Sequence, residues 1–338
     1  AIKKLIDSKY EFIAREFKWF DTGNLNSLKN AKEILKKEDS PEILEKHNEA
    51  IWFVSGKVVK YNHDKKFISD RIERSSLLKD YVPLIIDKGK NMYSYNEVTG
   101  QVFSKVSNKL AFSKLLKFLD KFWKPANLNQ TQKNSFYKSC LDFYKLKTEK
   151  RVKLYFDRFS EEDNTEIING YRVPTIKNLL SRLDWNVISK GIPTRFHGDL
   201  HFENILVTET GQFCLLDWRE NFSGLKQHGD MYYDLAKILH GIIISHQLIN
   251  EEQFSIEKNE DIIKFDFNRK QKLVENEKEF IGFLKKKNFD IKKVHILTAL
   301  IFINIAPLHH YPYSELLFYL GKESLFKITE KELNSELV

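Results

Sequence analysis

The polar residues whose types and spacing could carry out chemistry gather in two short stretches. One is Phe196-His197-Gly198-Asp199-Leu200-His201-Phe202-Glu203-Asn204-Ile205-Leu206. The other is Leu215-Leu216-Asp217-Trp218, with Asp217 thirteen residues past Asn204. A carboxylate on a loop, an amide five residues on and a second carboxylate across a hairpin can converge on one point. That set suits phosphoryl transfer. The transferred group spreads negative charge over its oxygens, so catalysis is mostly positioning and charge neutralisation. Mg2+ is hard and takes carboxylate and amide oxygens, and the acceptor hydroxyl needs a carboxylate to orient it and take its proton. On this reading Asp199 is the base, and Asn204 and Asp217 are the metal ligands. A lone Asp or Asn in a loop is more often a turn former or a cap. Five fixed residues in His197-Gly198-Asp199-x-His201-x-x-Asn204 weigh against that, because at about 5% per residue type such a match arises roughly once in ten thousand chains of this length.

These residues need elements to hold them. Ala50–Val54 and Lys57–Tyr61 read as strands joined by Ser55-Gly56, a two-residue hairpin signal. Asp64–Leu78 reads as a helix, with Phe67, Ile68, Ile72 and Leu77 near helical spacing. Met92–Tyr95 and Gly100–Phe103 look extended. From Asn108 helices dominate, over Leu110–Phe122, Ser135–Phe159 and Thr175–Ile188. The pattern breaks at Gly191-Ile192-Pro193. Short extended pieces follow over 194–197, 205–208 and 212–217, with Glu209-Thr210-Gly211 turning between the last two. Helices return from Asp230 to the C-terminus. Ahead of the strands, residues 1–48 are charged and helix-prone, with a helix at Ala31–Lys37 and a cap at Ser40-Pro41. The expected architecture is α+β in three parts: an N-terminal helical segment (1–48), a small sheet lobe (49–107) and a large, mainly helical lobe (108–338).

Composition narrows the function classes. The 338 residues are 42% apolar, with 26 Phe and 14 Tyr, enough for a sizeable core and against disorder. Net charge is +8, from 55 basic and 47 acidic residues. Most of the basic residues are Lys scattered among acids, which reads as a solvated surface and is compatible with a basic cleft for phosphates. No basic stripe with interleaved aromatics argues for nucleic acid. Cys140 and Cys214 stand far apart, without zinc spacing or a disulfide framework, so a reducing cytoplasm fits best. Val294–Leu308 is shorter than the roughly 20 residues of a membrane span and reads as a buried helix. No signal peptide is visible, and the first residue, Ala1, hints at a piece of something longer.

The loop 197–204, its hairpin and Asp217 resemble the catalytic segment of the aminoglycoside phosphotransferase and choline kinase family, His-Gly-Asp-x-His-x-x-Asn followed by a metal-binding Asp. Gly229-Asp230-Met231-Tyr232-Tyr233-Asp234-Leu235-Ala236 is similar to that family's Gly-Asp…Asp-Leu-Ala segment, and a weaker resemblance covers residues 50–320. The resemblance implies a bilobal protein-kinase-like fold and transfer from ATP to a small-molecule hydroxyl, with GTP left open. It implies Asp199 as base, with His197 orienting its loop, Asn204 and Asp217 on Mg2+, and Asp234 as a buried acceptor bracing the loop. Lys60 would neutralise the ATP phosphates, with Glu73 as its acidic partner and Asp70 as the rival. Tyr95, Glu97 and Val98 would form the hinge that hydrogen-bonds adenine through the backbone.

On the acceptor side the candidates are Arg219, Glu220, Asn221, Asp230, His309 and His310, with Tyr311 and Tyr313 nearby. Arg219 could hold a phosphate or carboxylate on the acceptor, and the aromatics could cage a choline-like cation or stack on a sugar. Two departures stand out. No glycine-rich loop precedes Ala50, and Asp217 is followed by Trp218-Arg219, so neither an activation flip nor a peptide substrate is implied. Phe17–Leu28 with Ala31 resembles the tail of sugar-nucleotide nucleotidyltransferases. That implies a nucleotidyltransferase domain or partner and a phosphorylated product used in cell-surface polysaccharide synthesis. The competing expectation is a nucleotide-binding pseudokinase, which would lack the base, a metal ligand or the Lys; all are present here.

Overall fold

The computed structural model describes Ser27 and residues 49–335, with side chains to residue 330. The helix, cap and nucleotidyltransferase-like stretch expected within 1–48 lie outside the described residues. Ser55 and Gly56 both take left-handed φ (50° and 74°), a turn whose twist matches that of its strands. They close a hairpin of β1 (Glu49–Val54) and β2 (Lys57–Asn62). Asp64 caps α1 (Lys65–Leu77), its side chain accepting from the N–H groups of Lys66 and Phe67. β3 (Ile85–Lys88) and β4 (Met92–Asn96) complete an antiparallel sheet in the order β1-β2-β4-β3. β3 was not legible, being a four-residue edge strand with a single buried side chain, Ile85.

β5 (Gly100–Val102) leaves this sheet and pairs with β9 (Ile205–Thr208), the first strand of the hairpin after Asn204. The approach demands glycine, because a Cβ at Gly100 would sit 2.3 Å from the Val207 carbonyl oxygen. The connection between the lobes is thus hydrogen-bonded to the hairpin that carries the metal-ligand candidates.

The large lobe contains α2 (Phe103–Val106), α3 (Lys109–Phe122), α4 (Gln130–Leu141) and α5 (Lys147–Phe159). One long helix was expected over 135–159; instead a π-helical turn at Asp142–Leu146 separates α4 from α5. After β6 (Glu166–Ile168) and β7 (Tyr171–Val173), the helix expected over 175–188 is two, α6 (Ile176–Ser181) and α7 (Trp185–Ser189). Asp184 divides them by capping α7 through the N–H groups of Asn186 and Val187. β8 (Pro193–Thr194) and β11 (Gly229–Asp230) pair on either side of the loop and of the hairpin β9–β10 (Phe213–Leu215).

Beyond them come α8 (Met231–Ile243), α9 (His246–Asn250), β12 (Phe254–Asn259), β13 (Ile262–Phe267), α10 (Gln271–Lys286), α11 (Ile291–Ile305) and α12 (Tyr313–Ser335). The all-helical reading after Asp230 is therefore corrected. β12 and β13 join β6 and β7 in a four-stranded sheet, and the alternation of Ile263, Phe265 and Phe267 with exposed residues was its signal. Ile291–Leu308 is apolar enough over 18 residues to cross a membrane, yet here it is a core segment packed between α8 and α12.

The lobes are fastened by Arg74 of α1, 1% exposed. Its Nε donates to the Lys226 carbonyl (3.1 Å), one terminal nitrogen to the Phe196 carbonyl (2.5 Å) and the other to the Arg219 carbonyl. Its guanidinium lies 3.8 Å over the Phe196 ring. Trp218, also buried, donates its indole N–H to the Arg71 carbonyl (3.0 Å). Arg74→Met leaves one buried and two part-buried carbonyls without their donor. At roughly 1–3 kcal/mol for a buried group left unmet, the expected loss is about 3 kcal/mol or more. It would be read as a lower urea midpoint at unchanged slope; a midpoint like wild type would show that the clamp does not hold the lobes.

Candidate active site

The loop between β8 and a short 3-10 turn at Phe202–Asn204 carries His197, Gly198 and Asp199. Gly198 has φ 89°, and a Cβ there would meet Arg219 Cβ at 2.5 Å, so the bend needs glycine. Asp234 of α8, fully buried, gathers the loop. Its Oδ2 accepts from the His197 N–H (2.8 Å) and the Trp123 indole (3.1 Å), and its Oδ1 from the Gly198 N–H (2.7 Å). Burial pushes this carboxyl up to about 6, against those N–H groups and Arg74, which favour its charge. His197, 0% exposed, donates from Nε2 to the Leu216 carbonyl (2.8 Å) and accepts at Nδ1 from the Asp199 N–H (3.2 Å). Accepting at Nδ1 requires the neutral ring, and burial holds its pKa at about 4. His197, grouped with the catalytic residues by its motif, is a positioning residue that faces backbone.

Asp199 Oδ1 lies 2.8 Å from Lys237 Nζ, and Oδ2 lies 3.4 Å from Asn204 Nδ2 and 3.8 Å from His201 Nε2. Lys237 was missed. Its signal was its place three residues after Asp234, on the same face of α8. Burial disfavours its charge, but Asp199 outweighs burial and raises its pKa. Asn204 Nδ2 also donates to the Asp199 carbonyl (2.9 Å).

Asp217 follows β10 in a left-handed conformation, φ 56°, a strained state for a non-glycine residue. Its Oδ1 pairs with Lys60 and accepts from Arg71 (3.0 Å). Lys60 and Asp217 therefore meet, but the expected acidic partner of Lys60 is corrected. Glu73 pairs with Lys226, while Asp70 pairs with Lys66 (2.7 Å) and Lys226 (3.2 Å). Helix phase explains this: the face of α1 toward the cleft carries Arg71, and Glu73, two residues on, is turned about 200° away. The two oxygen donors fit a hard cation. Asn204 turns its amide nitrogen to Asp199, which leaves Oδ1 as its ligand atom. Among the described residues no cluster of three His, Cys, Asp or Glu could hold a metal alone. A cation here would complete its shell with water and phosphate oxygens, as Mg2+ does.

The hinge candidates are partly corrected. Tyr95 lies in β4, between β2 and β3, with its buried ring 6.4 Å from that of Tyr93. The Glu97 N–H donates to the Gly56 carbonyl (2.8 Å), leaving Val98 in the connection to β5. On the acceptor side Asp230 is fully buried and accepts from the Tyr144 hydroxyl (2.7 Å) and the N–H groups of Ile192 and Tyr232 (2.9 and 3.1 Å), so it supports the fold rather than facing a ligand. Glu220 lies 3.9 Å from Arg219 Nε, and Asn221 accepts from the Gly224 N–H (2.8 Å). His309 packs edge-on against Tyr313 (4.9 Å), and His310 is exposed. His201 has His246 and His240 beside it, with ring centroids 5.1 and 6.3 Å away. Among the described residues neither ring nitrogen of His240 has a hydrogen-bond partner.

Residues 141–254 match the model of the phosphotransferase enzyme family, a span that holds the loop, its hairpin and α8. No curated protein matches the chain. Among solved structures the chain is similar to choline kinase LicA from Streptococcus pneumoniae, with 13% identity over 88% of this chain and 97% of that one and a TM-score of 0.50. It is also similar to a putative fructosamine-3-kinase from Thermobifida fusca (12% identity, 84% and 91% covered, TM-score 0.49) and to an ethanolamine kinase from Plasmodium vivax (12%, 96% and 92%, 0.43). The fold is the bilobal, protein-kinase-like α+β fold, and the segment that matches the phosphotransferase model holds the loop from His197 to Asn204, Asp217 and Asp234.

Buried neutral histidines make the fold acid-sensitive. The pKa values of His197, His201 and His309 are pushed to about 4, 3 and 4 from an ordinary 6.5, mainly by burial. The unfolded chain binds more protons in that window, so their stabilisation is present above pH 6.5 and lost as pH falls toward 4. Asp234, raised to about 6 by burial, acts oppositely, favouring the fold as pH falls through 6. Asp230 and Glu315 are raised by burial as Asp234 is, and His228, His240 and His246 are lowered by burial like the other three histidines, so six groups outweigh three; the melting temperature should fall from pH 6.5 to 5, and His201→Asn should flatten the slope. A melting temperature that is flat or rising over that range refutes the assignment.

Proposed function

We propose that the protein transfers the γ-phosphoryl group of Mg-ATP to a hydroxyl of a small molecule, a sugar, polyol or amino alcohol. The observation that carries this reading is the His197 ring. One nitrogen holds the Asp199 N–H and the other the Leu216 carbonyl, so the base candidate and the metal-ligand candidate Asp217 share one rigid frame. Asp199 takes the acceptor proton, and Lys237 and Asn204 fix the orientation of its carboxylate. Asn204 and Asp217 would hold Mg2+, which supplies charge neutralisation at the phosphate oxygens. Lys60 and Arg71, now on Asp217, supply the positive charge that faces the remaining phosphates.

The stretch Phe17–Leu28 supports an extension in which the phosphorylated product is next activated by a nucleotidyltransferase domain or partner, in cytoplasmic synthesis of a surface polysaccharide. One observation favours a second reading. Two cations already neutralise Asp217, as in a nucleotide-binding domain without turnover.

Release of ADP from Mg-ATP over a panel of sugars, polyols, amino alcohols and aminoglycosides separates the two readings. Acceptor-dependent release is expected, reduced about 10²- to 10⁴-fold in kcat by Asp199→Ala, the range for a lost general base, with ATP still bound. Lys60→Met should raise the KM for ATP. Nucleotide binding with no acceptor-dependent turnover would replace the kinase by the second reading.

A further inference from the structure

Lys147 of α5 and Arg219, two residues after Asp217, rest on one aromatic ring, with Arg151 one turn further along α5 and Lys237 of α8 on Asp199. Lys147 Nζ lies 4.3 Å over the Phe143 ring and 5.7 Å over Tyr233, and the Arg219 guanidinium lies 5.0 Å over the same Phe143 ring. Phe222 stacks on Phe143 at 4.3 Å, which leaves the other face to the two cations. Lys147 and Arg151 are four residues apart on one helix, an arrangement in which like charges repel. The side chains of Lys147 and Arg151 form no hydrogen bond or ion pair among the described residues. Among the described residues Arg219 Nε is buried without a hydrogen-bond partner, and the nearest carboxylate to it, Glu220, is 3.9 Å away. The remaining acid, Asp199, is already held by Lys237. Desolvation first, then Arg219, Lys237 and Arg151, pull the Lys147 ammonium well below its ordinary range, and Arg151 is lowered by desolvation and Arg219. The π-helical turn at Asp142–Leu146 immediately precedes Lys147 and sets the phase of Phe143 and Lys147 together, and such turns concentrate at functional sites.

Desolvated cations of one sign persist where a ligand supplies the counter-charge. We infer that the acceptor carries an anionic group, a phosphate or a carboxylate, which Lys147, Arg151 and Arg219 bind while its hydroxyl lies at Asp199. The inference rests on the phosphotransferase reading and narrows its acceptor. Cationic acceptors such as amino alcohols and aminoglycosides are then repelled.

The test uses the full chain with Mg-ATP and matched acceptors: a neutral sugar or polyol, its phosphate ester, its carboxylate and its amine. Turnover should be confined to the phosphate ester or the carboxylate, and the better of the two names the anion. Lys147→Gln and Arg151→Gln should each raise the acceptor KM about tenfold or more, with the KM for ATP unchanged. Preference for the neutral or amine member overturns the inference and leaves the kinase reading standing. A raised KM for ATP at unchanged acceptor KM overturns it too, assigning the cations to the nucleotide. A second measurement does not need turnover. With a non-hydrolysable Mg-ATP analogue saturating the nucleotide site, inorganic phosphate should raise the melting temperature of wild type saturably, and neither variant should respond. A shift that is absent in wild type, or that survives both substitutions, overturns the inference whatever the activity.

Discussion

The site depends on three consecutive residues held from two sides. Arg74 takes the carbonyl of Phe196, and Asp234 takes the N–H groups of His197 and Gly198. The first contact comes from the small lobe and the second from the large one. A buried carboxylate accepting three N–H groups gains charge-assisted bonds that are stronger than neutral ones, and losing any partner would strand it in a low dielectric. Asp199 follows directly, so its position is inherited from this frame. His197 extends the frame to the residue before Asp217, and β5–β9 pairing extends it to the inter-lobe connection. The lobes, the loop and the hairpin are thus one hydrogen-bonded object.

Within that frame charge is divided unevenly. Asp217 faces Lys60 and Arg71, and Asp199 faces Lys237. Each carboxylate is paired with a buried cation, so a lost partner would expose the other to an unpaired burial cost of several kcal/mol. The arrangement also makes cation binding at Asp217 competitive. A metal must displace or share Oδ1 with groups whose own charges a polyphosphate would then satisfy. On the proposed reading, metal and nucleotide would favour each other's binding at this carboxylate.

What was legible in the sequence was local. The Ser55-Gly56 turn, the start of α1 at Asp64 and the hairpin β9–β10 follow from backbone preferences of a few residues. The loop from His197 to Asn204 stood out because its residue types repeat the demands of one chemistry. Contacts made across the chain were not legible. Glu73 and Arg71 are equally placed by sequence near Lys60, and only the phase of α1 against the sheet selects Arg71. Lys237 reaches Asp199 across 38 positions, and the sheet partner of β12–β13 was hidden because β6 and β7 are three residues each. Asp230 misled for the converse reason. A polar residue in a motif-like segment looks functional until its three donors are seen.

Net charge shows why the cleft could not be read from composition. The +8 of the chain is the small difference of 55 basic and 47 acidic residues, and an exposed charge costs little and says little about function. The informative cations are the few that the fold withdraws from water and leaves without carboxylates. Arg151 and Lys147 gain nothing for the folded state by standing near Arg219. Their mutual repulsion and partial desolvation weaken it. A fold stabilised elsewhere can carry that local cost, as functional sites commonly do. The sign of the unmet charge then indicates the sign of the ligand. Aromatic rings stiffen this argument. Phe143 is fixed by Phe222 and Tyr233, so the cations resting on it cannot relax far toward solvent without giving up the ring face that orients them.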